Sequence, residues 1–176
     1  MNHPVVRLLD VLYLACIWIS GIALAIMCVV IPLGVVARYV FGFGAQWPEP
    51  IAILMMVVFT FFGAAAAYRA GSHIAVQMLT DRLPGVPQRA CAWIVHLSML
   101  AVSLFVVVYG MKLVLGTMGQ TISELPWLPV GVTYLALPLG SLMTLLFVLE
   151  HMVFGSQHGR AVVTYDHEPA VAEVSL

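Results

Sequence analysis

Few side chains in this sequence could do chemistry, and their spacing brings no set of them together. His73 has no second metal ligand at a useful spacing. His96 lies one turn into an apolar span and has no second histidine within a span, whereas a membrane cytochrome needs two at matching depth. Cys16 and Cys28 lie about 18 Å apart on one helix, so they cannot form a disulfide, and Cys91 stands alone. The sequence therefore predicts neither an enzyme nor a protein with a metal ion or cofactor.

Composition places the chain in a membrane. Hydrophobic residues make up 62% and charged residues 9% of the sequence, and the mean hydropathy is +1.05. A soluble domain carries about 25% charged residues. The net charge is −1 and the basic residues are scattered, which excludes a nucleic-acid-binding surface.

Long charge-free runs define the elements. Each run reaches the roughly 17–25 residues that a helix needs to cross the hydrocarbon core, and its continuity favours helices over the alternating strands of a barrel. The first run is longer than the core of a secretory signal, so we expect it to be retained. We predict an all-α integral membrane protein with four transmembrane helices, over residues 11–37, 48–68, 90–115 and 128–152.

A fifth, shorter helix is predicted after the second span. Residues 72–83 carry an apolar stripe at helical spacing, with His73 on the polar side, and are too few to cross a bilayer. We therefore expect an amphipathic helix in the cytoplasmic interface. Residues 1–155 then form one membrane domain, and residues 156–176 form a mobile cytoplasmic tail.

The basic residues predict the orientation. Five of them fall on one side of the membrane and one or two on the other, which favours cytoplasmic N- and C-termini. The five are Arg7, Arg69, Arg82, Arg89 and Arg160.

Two charged residues and a tryptophan flank the first outer turn. Arg38 closes the first span, and Trp47 and Glu49 open the second, where a carboxylate meets the positive end of the helix dipole. Arg38 and Glu49 face the same side and could pair. Two roles remain open for Glu49: a structural one at the helix start, or a contact that a partner protein requires.

Small residues predict close helix packing in the second and fourth spans. Gly63 and Ala67 have the four-residue spacing that lets two helices approach closely in lipid. Pro138 and Gly140 combine a predicted kink with a small residue. The partner helix is either in the same chain or in another protein.

These motifs together resemble a known family. Arg38-Tyr39-Val40-Phe41, Trp47-Pro48-Glu49 and the segment 69–76, which reads RAGSHIAV, look like the small membrane subunit (DctQ-like) of tripartite ATP-independent periplasmic (TRAP) transporters. The resemblance covers roughly residues 8–155. The chain departs from the family at Pro50 and Gln77, where acidic residues are common.

The resemblance implies a function and partners. It implies a non-catalytic scaffold subunit in a bacterial inner membrane, assembled with a large permease subunit (DctM-like) and served by a periplasmic substrate-binding protein. The complex would import an organic acid, typically a carboxylate, with a sodium gradient. From the family motifs and the small-residue spacing together, the assembly candidates are Arg38, Trp47, Glu49, Gly63, Ala67, Arg69, His73, Pro138 and Gly140.

The residues themselves support one part of this implication. A carrier has polar or ionisable groups at mid-membrane depth, and we expect these spans to contain almost none that are buried. The chain is therefore not expected to carry the substrate itself. The alternative hypothesis is a four-helix membrane anchor of a respiratory complex, in which the helices would hold haem or quinone.

Overall fold

The computed structural model describes residues 4–42, 46–71 and 86–155. The predicted interfacial helix over residues 72–83, with His73, lies outside the described residues. So does the predicted tail over residues 156–176.

Three long helices and one interrupted helix account for most of the described chain. Helix α1 spans Pro4–Tyr39, α2 spans Pro48–Arg69 and α3 spans Val86–Thr117. The fourth crossing consists of the short helix α4, Val130–Tyr134, and helix α5, Ala136–Phe154. All four crossings are long and apolar enough to span a bilayer, so the chain is a multi-pass membrane protein with four spans, as the hydropathy predicted.

The fourth crossing is interrupted at Leu135, three residues before Pro138. A proline has no N–H, so Pro138 cannot donate to the carbonyl of Tyr134 and the regular helix breaks there. The Leu139 N–H still donates to the Leu135 carbonyl at 3.2 Å, which restarts the helix after the break.

The connection between α3 and α4 is a small β-hairpin. Strand β1, Thr121–Ile122, pairs antiparallel with β2, Leu125–Pro129, with an irregular register between Thr121 and Ile122. Trp127 on β2 is 74% exposed. The hairpin therefore presents an indole at one end of the bundle.

Helix packing follows the order α1, α2, α5, α3, which brings the fourth crossing between the second and third. Very close approaches fix two of these contacts. A Cβ on Gly140 of α5 would lie 2.6 Å from the Phe61 Cβ of α2, and one on Gly110 of α3 would lie 3.3 Å from the Pro138 Cδ of α5. The buried core that joins α1, α2 and α5 consists of Leu9, Tyr13, Cys16, Ala65, Ala66, Tyr68, Phe147 and Val148.

Candidate functional site

Arg69, the last residue of α2, is the centre of an ion cluster that joins three helices. Its Nε donates to Oε2 of Glu150 on α5, and its Nη2 donates to Oε1 of the same carboxylate, both at 2.7 Å. Nη2 also donates to Oδ1 of Asp10 on α1 at 2.7 Å. We call Asp10, Arg69 and Glu150 the ion cluster.

The ion cluster is enclosed by protein. Arg69 and Glu150 are 4% and 3% exposed, and only the Asp10 side chain, at 13%, reaches the surface. The rings of Tyr13 and Phe147 each lie 5.3 Å from the guanidinium carbon, within the range of a cation–π contact. Arg69 Nη1 has no hydrogen-bond partner among the described residues. The space beside Arg69, Phe147 and Glu150 is too small to hold a water molecule.

The helix directions explain why these three residues meet. Consecutive spans run in opposite directions, so the start of α1 and the ends of α2 and α5 lie at one end of the bundle. Arg69 occupies the last turn of α2, where a cation is favoured by the helix dipole. Gly71 then takes a left-handed backbone conformation, with φ of 73°, which stops the helix directly after the arginine. We call this end of the bundle the Arg69 end, and the opposite end the Glu49 end.

The expectation that the spans contain almost no buried ionisable groups was wrong at the Arg69 end. Asp10, Arg69 and Glu150 each lie next to a charge-free run, but only Arg69 was predicted to have a role, as an assembly candidate and as a cytoplasmic charge. The signal that could have predicted the ion cluster is the presence of opposite charges at matching ends of antiparallel helices. Because Arg69 is neutralised inside the protein, it also counts less toward the predicted orientation than a surface arginine would.

A second group of polar rings lies beside the ion cluster. The Tyr68 hydroxyl lies 3.2 Å from Nδ1 of His96, and the centroids of the His96 and His151 rings are 4.5 Å apart. The statement that His96 has no second histidine within a span was therefore wrong, because His151 belongs to the fourth crossing. The two imidazole rings are in contact, which leaves no gap for a haem plane between them. In the described part of the chain, no three His, Cys, Asp or Glu side chains form a group that could hold a metal ion.

Three of the assembly candidates lie at the Glu49 end, where the side chains are accessible. Arg38, Trp47 and Glu49 are all exposed. Arg38 and Glu49 border the same cleft, but they do not form the ion pair that the sequence suggested, and neither has another ionic partner in the chain as described. Within the described residues, packing therefore does not depend on an ion pair of either charge.

The small-residue candidates have different environments. Gly140 lies directly against Phe61, and Pro138 is fully buried beside Gly110. A Cβ on Gly63 would lie 3.8 Å from the Ser20 Cβ, which is an ordinary van der Waals contact, and Ala67 is exposed. The fourth crossing thus uses its small residues inside the bundle, whereas the face of α2 that carries Ala67 is uncovered.

Chemically, the ion cluster can hold three helices in register, and its closed surroundings exclude a solute. Of the predicted assembly candidates, only Arg69 belongs to it. Asp10 and Glu150 were the functional candidates that the sequence analysis missed.

Comparisons with known proteins agree with this architecture. Residues 27–157 match the family described as tripartite ATP-independent periplasmic transporters, DctQ component. The chain is also 25% identical over 130 residues to a protein of Haemophilus influenzae that is named as a TRAP transporter small permease protein, with 74% of this chain and 80% of the relative covered. Four membrane-spanning helices and a match over most of the chain lead to one conclusion: the protein belongs to the DctQ family of TRAP transporter components.

Proposed function

We propose that this chain is the non-transporting scaffold subunit of a TRAP-type secondary transporter. The observation that carries the proposal is the closed ion cluster. A solute pathway needs polar groups that face a route at mid-membrane depth. Here the buried charges of the described helices are paired with each other at one end of the bundle, and the space beside Arg69 and Glu150 is too small to hold a water molecule.

The ion cluster would make this chain rigid, as expected for a stationary subunit beside a moving one. Removing one member of a buried ion pair leaves an uncompensated charge and costs about 3–5 kcal/mol. The bidentate contact from Arg69 to Glu150 and the further contact to Asp10 therefore oppose any rotation of α1, α2 or α5 at that end. Rigidity of this kind is what a stationary subunit needs.

The moving neighbour in this proposal is a large permease subunit (DctM-like), and the family assignment motivates it. The large subunit would hold the substrate and ion sites, and a periplasmic binding protein would deliver an organic acid with a carboxylate group for import with sodium. The chain would lie in the bacterial inner membrane with both termini in the cytoplasm. It would have no enzymatic activity of its own.

The uncovered face of α2 is the surface we assign to the large subunit. Thr60, Ala64 and Ala67 are exposed and fall on one side of the helix, at spacings of four and three residues. Small residues let a second helix approach closely in lipid, where packing rather than the hydrophobic effect drives association. Trp47 and Glu49 remain candidates for a contact with the permease or the binding protein at the Glu49 end.

The respiratory-anchor alternative has less support. The family match is to a transporter component, and the His96 and His151 rings lie against each other. A haem Soret band in the purified protein would restore that alternative.

Reconstitution tests the proposed function. The tagged full chain is purified in mild detergent, and the large membrane protein that accompanies it is identified by mass spectrometry. Liposomes then receive the chain alone, the companion alone or both. Uptake of a panel of radiolabelled organic acids is measured with and without added binding protein, and with and without a sodium gradient. We expect uptake only when both proteins and the binding protein are present. Uptake by the chain alone, or the absence of any large companion, would overturn the proposal.

A matched pair of variants tests the assigned surface. Ala64→Leu with Ala67→Leu places bulky side chains on the uncovered face of α2, and Val11→Leu changes an exposed residue of α1 that lies elsewhere. The first variant should lose the companion while keeping its own folded spectrum, and the second should keep it. Equal recovery of the companion with both variants would exclude this face.

A further inference from the structure

The Glu49 end contains an open cleft that Glu49 borders. One part, of about 320 Å³, lies between α1 and α2, and a second part, of about 560 Å³, continues toward the hairpin and α4. Arg38, Glu49 and Ile53 border both parts, so the two parts adjoin. Its size is within the range of ligand-binding pockets.

The polar rim of the cleft carries charges of both signs. Arg38 supplies a guanidinium, and Glu49 and Glu124 supply two carboxylates. None of the three forms an ion pair within the described residues, although all border the same space. A ligand complementary to these charges has an anionic group that contacts Arg38 and a cationic group that can donate hydrogen bonds to the carboxylates.

The floor of the cleft is apolar. Ile53, Leu54 and Val57 line it on α2, and Ile31 and Val35 line it on α1. The rim lies where α1 ends at Tyr39 and α2 begins at Pro48, which are the limits of two candidate membrane spans. The cleft therefore passes from headgroup depth at its rim to acyl-chain depth at its floor.

We propose that this cleft binds a phospholipid with a phosphoethanolamine headgroup. The lipid phosphate contacts Arg38, the primary ammonium donates to Glu49 and Glu124, and one acyl chain lies along the α2 floor. A choline headgroup lacks N–H donors for the carboxylates. An anionic headgroup without an ammonium places a net negative charge beside two carboxylates.

Lipid titration followed by native mass spectrometry tests the proposal on the full chain. Phosphatidylethanolamine, phosphatidylcholine and phosphatidylglycerol with the same acyl chains are added to the protein in mild detergent. We expect phosphatidylethanolamine to bind most tightly. Arg38→Gln should weaken its binding about tenfold, because one charge-assisted hydrogen bond is worth about 1.5–3 kcal/mol and 1.4 kcal/mol is a factor of ten.

Two further variants make the result specific. Glu49→Gln with Glu124→Gln should abolish the preference for ethanolamine over choline. Lys112→Gln should leave all three affinities unchanged, because Lys112 lies over Tyr109 on α3 and does not border the cleft. Equal unfolding temperatures without added lipid show that each variant is folded.

Three results would overturn the proposal. The first is equal binding of the three lipids, and the second is an Arg38→Gln variant that binds like the parent. The third is equally tight binding of glycerophosphoethanolamine, because a soluble headgroup does not use the apolar floor. Photo-crosslinking from position 53 supplies an independent readout: capture of lipid supports the proposal, and capture of a protein segment in its place overturns it.

Discussion

The two ends of this helix bundle differ in the burial and pairing of their charged side chains. At the Arg69 end, a guanidinium and two carboxylates are buried and joined by three hydrogen bonds of 2.7 Å. At the Glu49 end, Arg38, Glu49 and Glu124 also comprise one cation and two carboxylates, but they stay exposed around an open cleft and form no ion pair in the described structure. One cation and two carboxylates are thus buried and paired at one end, and accessible at the other.

This difference separates residues that hold the fold from residues that can meet a ligand or partner. Buried ion pairs are costly to break because the remaining charge has lost its hydration, whereas exposed charges contribute little to stability. We therefore expect substitutions at the Arg69 end to change stability, and substitutions at the Glu49 end to change binding. The predictions below test this separation, beginning with the largest expected effect.

Arg69→Met should cause the largest loss of stability. It leaves Glu150 buried without a cation, so we expect the free energy of unfolding to fall by about 3–5 kcal/mol. Reversible unfolding in detergent, followed by circular dichroism, measures the change. Arg38→Gln at the Glu49 end is the matched control and should change stability by no more than about 0.5 kcal/mol. Similar losses for both arginine variants would remove the distinction between the two ends.

A double variant sharpens the same test. Arg69→Met combined with Glu150→Leu removes the orphaned carboxylate and replaces the pair with apolar side chains. Such replacements are often neutral or stabilising relative to the intact pair. We expect the double variant to recover part of the stability lost in Arg69→Met. Additive losses would show that the two residues are not energetically coupled.

The two carboxylates of the ion cluster should differ from each other. Glu150→Gln disrupts two hydrogen bonds at a fully buried site and should cost about 3 kcal/mol, near the lower limit for breaking a buried pair. Asp10→Asn affects one Arg69 contact at a partly exposed site and should cost about 1–1.5 kcal/mol. Denaturant titration of both variants checks the ranking. A larger loss for Asp10→Asn would show that burial does not set the energetics of this end.

Gly140→Ala tests packing between the two ends. The new Cβ would lie 2.6 Å from the Phe61 Cβ and 2.9 Å from the Phe61 carbonyl carbon, so α2 and α5 must separate. Overpacking of this kind typically costs about 1–3 kcal/mol. Thermal unfolding of Gly140→Ala is compared with that of Gly116→Ala, a position on α3 with no atom within 4 Å of the new Cβ. If both variants lose the same amount of thermal stability, the Gly140 contact does not determine the α2–α5 spacing.

Glu49→Ala should have the smallest effect on stability and a clear effect on association. Because Glu49 is exposed and unpaired with Arg38, we expect the unfolding free energy to change by no more than about 0.5 kcal/mol. We also expect less of the large companion to co-purify, or weaker docking of the binding protein, with insertion unchanged. Membrane fractionation and quantitative co-purification separate these effects. Unchanged complex yield and uptake would exclude a partner contact for Glu49.

Much of the fold could be predicted because membrane spans are local features. About 20 consecutive apolar residues are sufficient for a crossing, since each helix satisfies its own backbone hydrogen bonds in lipid. Pro138 also gave a correct local signal, because its missing N–H interrupts the fourth crossing. Hydropathy does not indicate the β-hairpin between α3 and α4, since hairpin pairing depends on register rather than on composition.

The candidate site was harder to predict because its members are far apart in sequence. Arg69 is 59 residues from Asp10 and 81 from Glu150. The helix directions place all three at one end, but contact also requires α2 to lie between α1 and α5 and each helix to have the correct rotation. His96 and His151 meet for the same reason, on adjacent helices α3 and α5.

The sequence by itself determined that the protein lies in a membrane and that it crosses four times. Hydropathy and helix length are sufficient for this, because they depend on consecutive residues. Only the tertiary structure decided that Asp10, Arg69 and Glu150 are buried together while Arg38 and Glu49 stay apart. Pairing depends on the order and rotation of the helices, which are set by long-range packing such as the contact of Gly140 with Phe61.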